Sequence, residues 1–273
     1  MWYPRLVLCS VLAGLAACVA GCALDPPPLP PAALCLPSAS PAESGLLAAQ
    51  GAVPAPKSER IVRLGRSVRG RDIHATVFPG NGRCILILGC IHGNERSSAQ
   101  LVRSLADRLQ RRPQDRAGRQ IVLIDVANPD GWAAGTRFNA RGVDLNRNFP
   151  ADNFKPCREH GRAPLTEPET RALVKAVDTY HPASIISVHS PLNCIDPDGP
   201  PESNHLAERM RAASPLPVLD LEALPGSMGS YCGVGRGVTM ITYELDRDDL
   251  PVGGERQYLA PHVNALVLAI RGG

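Results

Sequence analysis

Two histidines and a glutamate occupy places in the sequence where they could share a metal ion. His92 and Glu95 are separated by two residues and follow the apolar run Ile85–Leu88, while His189 follows the run Ile185–Val188. Two histidines and one carboxylate leave a fourth coordination position open for water, which is a catalytic arrangement of zinc. A lone His-x-x-Glu is usually accidental, so the interpretation depends on its companions. The sequence predicts one Zn²⁺ per chain, bound by His92, Glu95 and His189.

A second glutamate, Glu244, ends the apolar run Val238–Tyr243. A carboxylate on such a strand is costly to bury unless it is paired or has a function. Beside a zinc site it would act as the general base that takes a proton from water. The alternative is a glutamate at the end of a strand that faces solvent.

Residues 135–150, with the sequence GTRFNARGVDLNRNFP, lie between the motifs that contain His92 and His189. Arginine suits two tasks in amide hydrolysis. It stabilises the oxyanion of a tetrahedral intermediate, and it binds a substrate carboxylate through two parallel hydrogen bonds. For any single arginine an ion pair at the surface is the more common role, so the residues alone leave both interpretations open.

Short β-branched runs alternate with amphipathic segments from residue 59 onward, which is typical of an α/β domain. We predict one domain, residues 59–273, with a mixed, largely parallel central sheet flanked by helices. One helix is expected over Ser97–Arg111, and another from Thr166, where Thr166 and Glu169 would form a capping box. A polar cluster follows each main strand candidate, and sites in open α/β sheets assemble at the carboxyl ends of strands. The candidates are Ile85–Leu88, Ile121–Val126, Ile185–Val188 and Val238–Tyr243.

The composition indicates a globular protein with an aliphatic core and argues against nucleic-acid binding. Hydrophobic residues make up 44% of the 273 residues, but aromatic residues only 4%. The net charge of +3 comes from 29 basic and 26 acidic residues that form no basic stripe. The sequence has no Cys-x-x-Cys pair and leaves a disulfide between Cys194 and Cys232 open. Five other histidines are expected at the surface or in loops: His74, His160, His181, His205 and His262.

The amino-terminal region has the features of an export signal followed by a spacer. Arg5 precedes the apolar run Leu6–Ala17, which is too short for a comfortable membrane span. Residues 19–22, Val-Ala-Gly-Cys, fit a lipoprotein box, as do residues 15–18; the alternative is an ordinary cleaved signal. We predict a lipoprotein signal peptide over residues 1–22 with lipidated Cys22, and a tether rich in proline and alanine over residues 23–58. The protein is expected to be an exported, periplasmic, membrane-anchored lipoprotein, with the outer membrane favoured because Ala23 follows Cys22.

Five motifs together resemble the zinc carboxypeptidase family over residues 59–273. They are HGNE at 92–95, NPDGW at 128–132, GVDLNRNFP at 142–150, SVHS at 187–190 and TYEL at 242–245. The resemblance implies a role for each matching residue. The zinc ligands would be His92, Glu95 and His189, the oxyanion stabiliser Arg137, the binders of the substrate's terminal carboxylate Asn146 and Arg147, and the base Glu244.

Within that family, three shorter stretches resemble the murein peptide amidase A type, which cuts the γ-D-glutamyl to meso-diaminopimelate bond of cell-wall peptides. These stretches are residues 65–73, 191–196 and 225–232. Two departures argue against a general C-terminal exopeptidase. Asn94 stands where the pancreatic enzymes have a second arginine, and Leu221–Leu224 stand where they have a substrate-capping tyrosine. The resemblance therefore implies a murein peptide as the substrate.

Three other functions are weighed against this one. A general metallocarboxypeptidase would have the same zinc site. An N-acyl amino acid deacylase of the aspartoacylase type resembles the chain at HGNE and at residues 144–147, but the NPDG and TYEL motifs and the export signal argue against it. A non-catalytic cell-wall-binding lipoprotein would have lost a ligand or the base, whereas all four residues are present.

Overall fold

Seven strands form one sheet within residues 58–272, the part of the chain that the computed structural model describes. They are β1 (Arg60–Arg66), β2 (Asp72–Phe78), β3 (Gly82–Leu88), β4 (Arg119–Ile124), β5 (Ser184–His189), β6 (Cys194–Asp198) and β7 (Thr239–Glu244). Their order across the sheet is β1-β2-β4-β3-β5-β7-β6. The four strands β4, β3, β5 and β7 are parallel to one another, and β1, β2 and β6 are antiparallel to their neighbours. The predicted mixed sheet is confirmed, with its parallel part at the centre.

Five α-helices accompany the sheet in the described residues. They are α1 (Arg96–Arg111), α2 (Pro129–Ala134), α3 (Pro168–Tyr180), α4 (Pro201–Arg211) and α5 (Glu255–Gly272). Ile85 and Ile87 of β3 pack in the cluster that contains residues of α1, α4 and α5, while Leu86 and Leu88 pack in the cluster that contains residues of α3. Because alternate residues of a strand point to opposite faces, a strand covered on both sides is apolar throughout. The core is aliphatic, as the composition predicts.

The predicted capping box at the start of α3 is wrong. The helix begins at Pro168, and Glu167 occupies the N-cap position without a capping hydrogen bond from its side chain. The hydroxyl of Thr166 lies 2.9 Å from Nδ2 of Asn148, and the carboxylate of Glu169 accepts from the backbone N–H of Val68. Both side chains therefore serve tertiary contacts.

The structure also shows the state of two cysteines and the location of one histidine. Cys194 and Cys232 are both buried free thiols, so they form no disulfide. His262, which the sequence places at the surface or in a loop, is buried within α5, where Nδ1 lies 2.8 Å from the hydroxyl of Tyr243. That prediction is wrong because one face of the helix packs into the core.

The predicted signal peptide, the lipidation site Cys22 and residues 23–57 of the predicted tether lie outside the described residues. Among the helices of residues 58–272, none has the length and apolar character needed to cross a membrane.

Candidate active site

The three predicted metal ligands converge at one edge of the sheet. His92 and Glu95 lie in the loop between β3 and α1, and His189 is the last residue of β5. Nδ1 of His92 lies 2.5 Å from Oε1 of Glu95, and Nδ1 of His189 lies 3.1 Å from Oε2 of the same carboxylate. All three residues are buried, and one ligand atom from each lies within 4.8 Å of the others. The structure thus brings together the donor set that the sequence predicts.

The outer nitrogen of each histidine also has a partner. Nε2 of His92 lies 3.0 Å from Oδ1 of Asp144, and Nε2 of His189 lies 3.0 Å from the hydroxyl of Ser187. Such outer contacts fix the tautomer and the ring orientation of histidines that bind metals, and leave both Nδ1 atoms facing the Glu95 carboxylate. Two imidazole nitrogens and one carboxylate fit Zn²⁺.

Charge pairing dominates the electrostatics of this triad. Burial raises the pKa of a carboxyl, but the two histidines outweigh burial and lower the pKa of Glu95 to about 2. Burial likewise opposes charge on His92, yet Glu95 and Asp144 raise its pKa to about 9. The pKa of Asp144 is lowered by His92 and by nearby arginines against the effect of burial. The carboxylates are therefore ionised near neutral pH, as metal ligation and its support require.

Glu244 lies beside the triad because of strand pairing. It is the last residue of β7, and its Cα is paired with that of His189 in the parallel ladder between β5 and β7. Its carboxylate accepts a hydrogen bond of 3.3 Å from the backbone N–H of Leu192. Burial raises the pKa of Glu244, and the negative charge of Glu95 adds to this effect. A buried carboxylate with a raised pKa, next to a metal site, has the properties of a proton acceptor.

Arg137 is fixed by the same aspartate that supports His92. Nε and Nη2 of Arg137 lie 3.1 and 2.9 Å from Oδ2 of Asp144, and Nη1 lies 3.8 Å from Oε1 of Glu95. The side chain of Arg137 is 40% exposed and lines the cleft next to the triad. Asp144 lies within the GVDLNRNFP motif, but the sequence alone indicated no role for it. The sequence feature that could have pointed to it is a charged residue between the apolar residues Val143 and Leu145.

Asn146 and Arg147 lie in the 3-10 turn Leu145–Arg147, on the side of the cleft. Oδ1 of Asn146 accepts from the backbone N–H of Met228 at 2.9 Å, and Nη1 of Arg147 donates to the carbonyl of Asn146 at 2.7 Å. Burial lowers the pKa of the Arg147 guanidinium, although Asp144 partly offsets this. The guanidinium makes no ion pair within residues 58–272, so it is available to a substrate carboxylate.

One cleft of about 300 Å³ is lined by all seven residues predicted to bind metal, catalyse the reaction or bind substrate. Leu221–Leu224 form part of its wall, and no tyrosine of the described residues lines it. Asn94 does not line it either, because its side chain points to Asp248, with Nδ2 3.4 Å from Oδ2. Both departures from the pancreatic pattern are therefore real differences at the site. Asp196 and Asp198, for which the sequence indicated no role, also line the cleft.

The NPDG motif supports the site from outside the cleft. The side chain of Asn128 caps α2 by accepting from the N–H of Gly131 at 2.9 Å, and its Nδ2 donates to the carbonyls of Ile91 and Arg137 at 3.3 Å. Gly93 passes so close to this helix that a Cβ there would lie 2.0 Å from the carbonyl carbon of Gly131. The motif holds the loops that carry His92 and Arg137 against each other.

Comparison with known proteins agrees with this geometry. The zinc carboxypeptidase family matches residues 52–195. Murein peptide amidase A of Escherichia coli (strain K12) is 36% identical over 208 residues, covering 68% of this chain and 79% of the relative. This chain belongs to the zinc carboxypeptidase family. Murein peptide amidase A of Vibrio campbellii is 31% identical over 218 residues, covering 70% of this chain and 83% of the relative.

Solved structures share the fold. The murein-tripeptide amidase of Escherichia coli O157 gives a TM-score of 0.60 at 31% identity, covering 78% of this chain and 92% of that chain. Bovine thrombin-activatable fibrinolysis inhibitor gives a TM-score of 0.67 at 17% identity, covering 79% of this chain and 90% of that chain. The predicted fold class is confirmed, and so is the prediction of a metallopeptidase of a zinc-dependent family that acts on a peptide substrate.

Proposed function

We propose that this protein hydrolyses an amide bond in murein peptides, namely the bond between γ-D-glutamate and meso-diaminopimelate. The observation that carries the proposal is the convergence of a metal triad, a buried glutamate and two arginines in one cleft. The kinship with murein peptide amidases of two species supports the choice of substrate. So does the cleft wall of leucine, glutamate and alanine at residues 221–224, where no tyrosine of the described residues is placed to cap a C-terminal residue.

His92, Glu95 and His189 would hold the zinc ion through two Nδ1 atoms and one carboxylate. When bound, zinc lowers the pKa of water and polarises the amide carbonyl. Asp144 and Ser187 orient the two imidazole rings by occupying their Nε2 atoms. The ligands are thus arranged before the ion arrives, which reduces the cost of ordering them.

Glu244 takes the proton of the attacking water and passes it to the leaving amine. Its place beside His189 and its raised pKa suit both transfers. Arg137 stabilises the oxyanion of the tetrahedral intermediate, and two hydrogen bonds from its guanidinium to Oδ2 of Asp144 hold it in place. Loss of a comparable oxyanion donor costs roughly 3 to 4 kcal/mol of transition-state stabilisation.

Asn146 and Arg147 bind the carboxylate next to the scissile amide on the leaving residue. The Arg147 guanidinium lines the cleft, and a carboxylate accepts two parallel hydrogen bonds from such a group. A carboxylate on the leaving residue is a feature of both a murein tripeptide and an ordinary C-terminal peptide. Parts of the cleft other than Asn146 and Arg147 must therefore discriminate between these two kinds of substrate.

A defined tripeptide tests the proposal. Zinc-loaded protein is incubated with L-Ala-γ-D-Glu-meso-diaminopimelate and with an L-Ala-L-Ala-L-Phe control, and the released amino acid is quantified by mass spectrometry. Release of diaminopimelate at a rate well above the release of phenylalanine is expected. If phenylalanine is released faster, the protein is a general carboxypeptidase; if neither is released, the proposed function is wrong.

We also propose that the protein is exported and anchored in the outer membrane through a lipid on Cys22. The lipoprotein box at residues 19–22 and the proline-rich residues 23–58 support this. Labelling of cells with a palmitate analogue should mark the wild type and Cys18→Ser but not Cys22→Ser. Label retained in Cys22→Ser would contradict the assignment of the lipidation site. Separation of the inner and outer membranes would test the proposed location in the outer membrane.

A further inference from the structure

Two buried aspartates form the floor of the cleft. Asp196 and Asp198 lie on β6, and their residues are 6% and 5% exposed. Oδ1 of Asp196 accepts a hydrogen bond of 2.9 Å from the N–H of Leu221, and Oδ2 of Asp198 accepts one of 2.8 Å from the hydroxyl of Thr242. The second oxygen of each carboxylate has no hydrogen-bond partner within residues 58–272. Neither aspartate has an arginine or lysine beside it in those residues.

Buried carboxylates of this kind are costly unless a cation completes them. Burial, together with the neighbouring acids, raises the pKa of Asp196 to about 7, and burial raises the pKa of Asp198 to about 6. The backbone of Gly229 packs closely against Asp198, because a Cβ at this glycine would lie only 2.6 Å from the carboxylate. Both aspartates line the cleft, and each has one carboxylate oxygen that accepts no hydrogen bond within residues 58–272.

Strand register shows how far the two aspartates lie from the level of the proposed base, Glu244. In the antiparallel ladder between β6 and β7, Asp196 is paired with Thr242, whereas Glu244 is paired with Cys194. Two residues along a strand span about 7 Å, so Asp196 lies about that far below the level of the proposed base, and Asp198 about twice as far. A substrate side chain of the length of lysine covers the first distance.

The cleft is thus positive at its upper end, where Arg137 and Arg147 lie, and negative at its floor. We propose that Asp196 and Asp198 form a subsite for an ammonium group carried by the side chain of the leaving residue. This inference rests on the proposed function, in which the leaving residue is a diamino acid. Arg147 would bind the carboxylate of its first centre, and the two aspartates would bind the amino group of its second centre.

Binding of the free leaving group tests the subsite without relying on turnover. Calorimetric titration of zinc-loaded protein at about pH 8, where both aspartates are ionised, compares meso-diaminopimelate with 2-aminopimelate, which lacks the second amino group. The wild type should prefer the diamino acid at least about tenfold, since hydrogen bonds to a charged group contribute that much. Asp196→Asn and Asp198→Asn keep the side-chain shape and remove the charge, so each should reduce the preference, and the double variant should abolish it.

Glu208→Gln is the matched control, because Glu208 is an exposed acid of α4 that does not line the cleft. It should leave the preference unchanged, and thermal melts should show that all variants are folded. Equal binding of the two ligands by the wild type, or a preference that survives in the double variant, would overturn the subsite. Failure to cleave the tripeptide together with an intact preference would overturn the proposed function alone.

Discussion

The two ends of the cleft use the same chemical group in opposite ways. At the metal end, the buried carboxylates of Glu95 and Asp144 are surrounded by histidines and arginines, and their pKa values are lowered. At the floor, the equally buried carboxylates of Asp196 and Asp198 have no arginine or lysine beside them within residues 58–272, and their pKa values are raised by burial. Burial acts in the same direction at both ends, so the neighbours decide the sign.

The two ends therefore differ in whether residues 58–272 supply the counter-charges for their carboxylates. The metal end contains its own counter-charges and is organised for a small ion. The floor lacks counter-charges within the described residues, and its carboxylates bear the cost of burial until a cationic ligand arrives. Substitutions at the two ends should therefore have effects of different kinds, on turnover and metal binding at one end and on selectivity and stability at the other.

The largest effect is expected from Glu244→Gln. Because Glu244 moves the proton in both halves of the proposed reaction, its loss should lower kcat about a thousandfold. The zinc content should remain stoichiometric, since Glu244 is not among the grouped ligands. Kinetics on the murein tripeptide and elemental analysis of the same sample check this, and near-normal turnover would contradict the assigned base.

Amidation of the carboxylate that Arg147 binds should have the next largest effect. Amidation would leave the half-buried guanidinium without a carboxylate partner, so kcat/KM of the wild type should fall about a hundredfold. Arg147→Met should be slow on both peptides and should discriminate between them little. Equal cleavage of free-acid and amidated peptides by the wild type would remove Arg147 from this role.

Asp144→Asn should weaken zinc binding by about ten- to a hundredfold, because His92 loses a charged partner on Nε2. Competition with a fluorescent chelator measures this affinity. Asp196→Asn is the control at the other end of the cleft and should bind zinc as the wild type does. Equal zinc affinity in both variants would mean that Asp144 only anchors Arg137.

The smallest effect is on stability: at the floor of the cleft, removal of a charge should stabilise the protein. The pKa of Asp196 in the folded protein, about 7, lies above its ordinary value of 3.8, so the fold disfavours the ionised form. The resulting penalty is absent below about pH 4, grows as the pH rises, and is complete above about pH 7. Asp196→Asn should therefore raise Tm by roughly 3 to 6 °C at about pH 8 and change it little at about pH 4.

Nearby acids, Asp198, Asp220 and Glu244, contribute to the pKa of Asp196, so the variant should also relieve their repulsion. Asp178→Asn is a suitable comparison, since Asp178 is an exposed surface acid that pairs with Arg236. A lower Tm for Asp196→Asn at the higher pH would show that the carboxylate has a counter-charge after all.

The sequence predicted the positions of the metal ligands because short apolar runs end just before or at His92, His189 and Glu244. That pattern reports buried parallel strands, whose carboxyl ends meet at one edge. It could not predict β6, whose residues CIDPD include two aspartates and a proline and are nevertheless buried at the edge of the sheet. The floor of the cleft was missed together with that strand.

Other errors have similar causes. Thr166 and Glu169 have the spacing of a capping box, but Asn148 and Val68, distant in sequence, use these side chains instead. His262 has no local signal of burial, and its partner Tyr243 lies on another element. Asp144 lies within a recognised motif, yet its link to both His92 and Arg137 appears only when the loops are folded together.

The pairing of His189 with Glu244 has a consequence for how the enzyme should lose activity. The proposed ligand and the proposed base form the last residue pair of the β5–β7 ladder, and the backbone amides of these strands should exchange with solvent only on global unfolding. Arg147 and residues 221–224 lie in a short turn and a loop, which can open locally. In a denaturant titration, substrate affinity should therefore decline first, while the distance between ligand and base persists until the whole sheet unfolds.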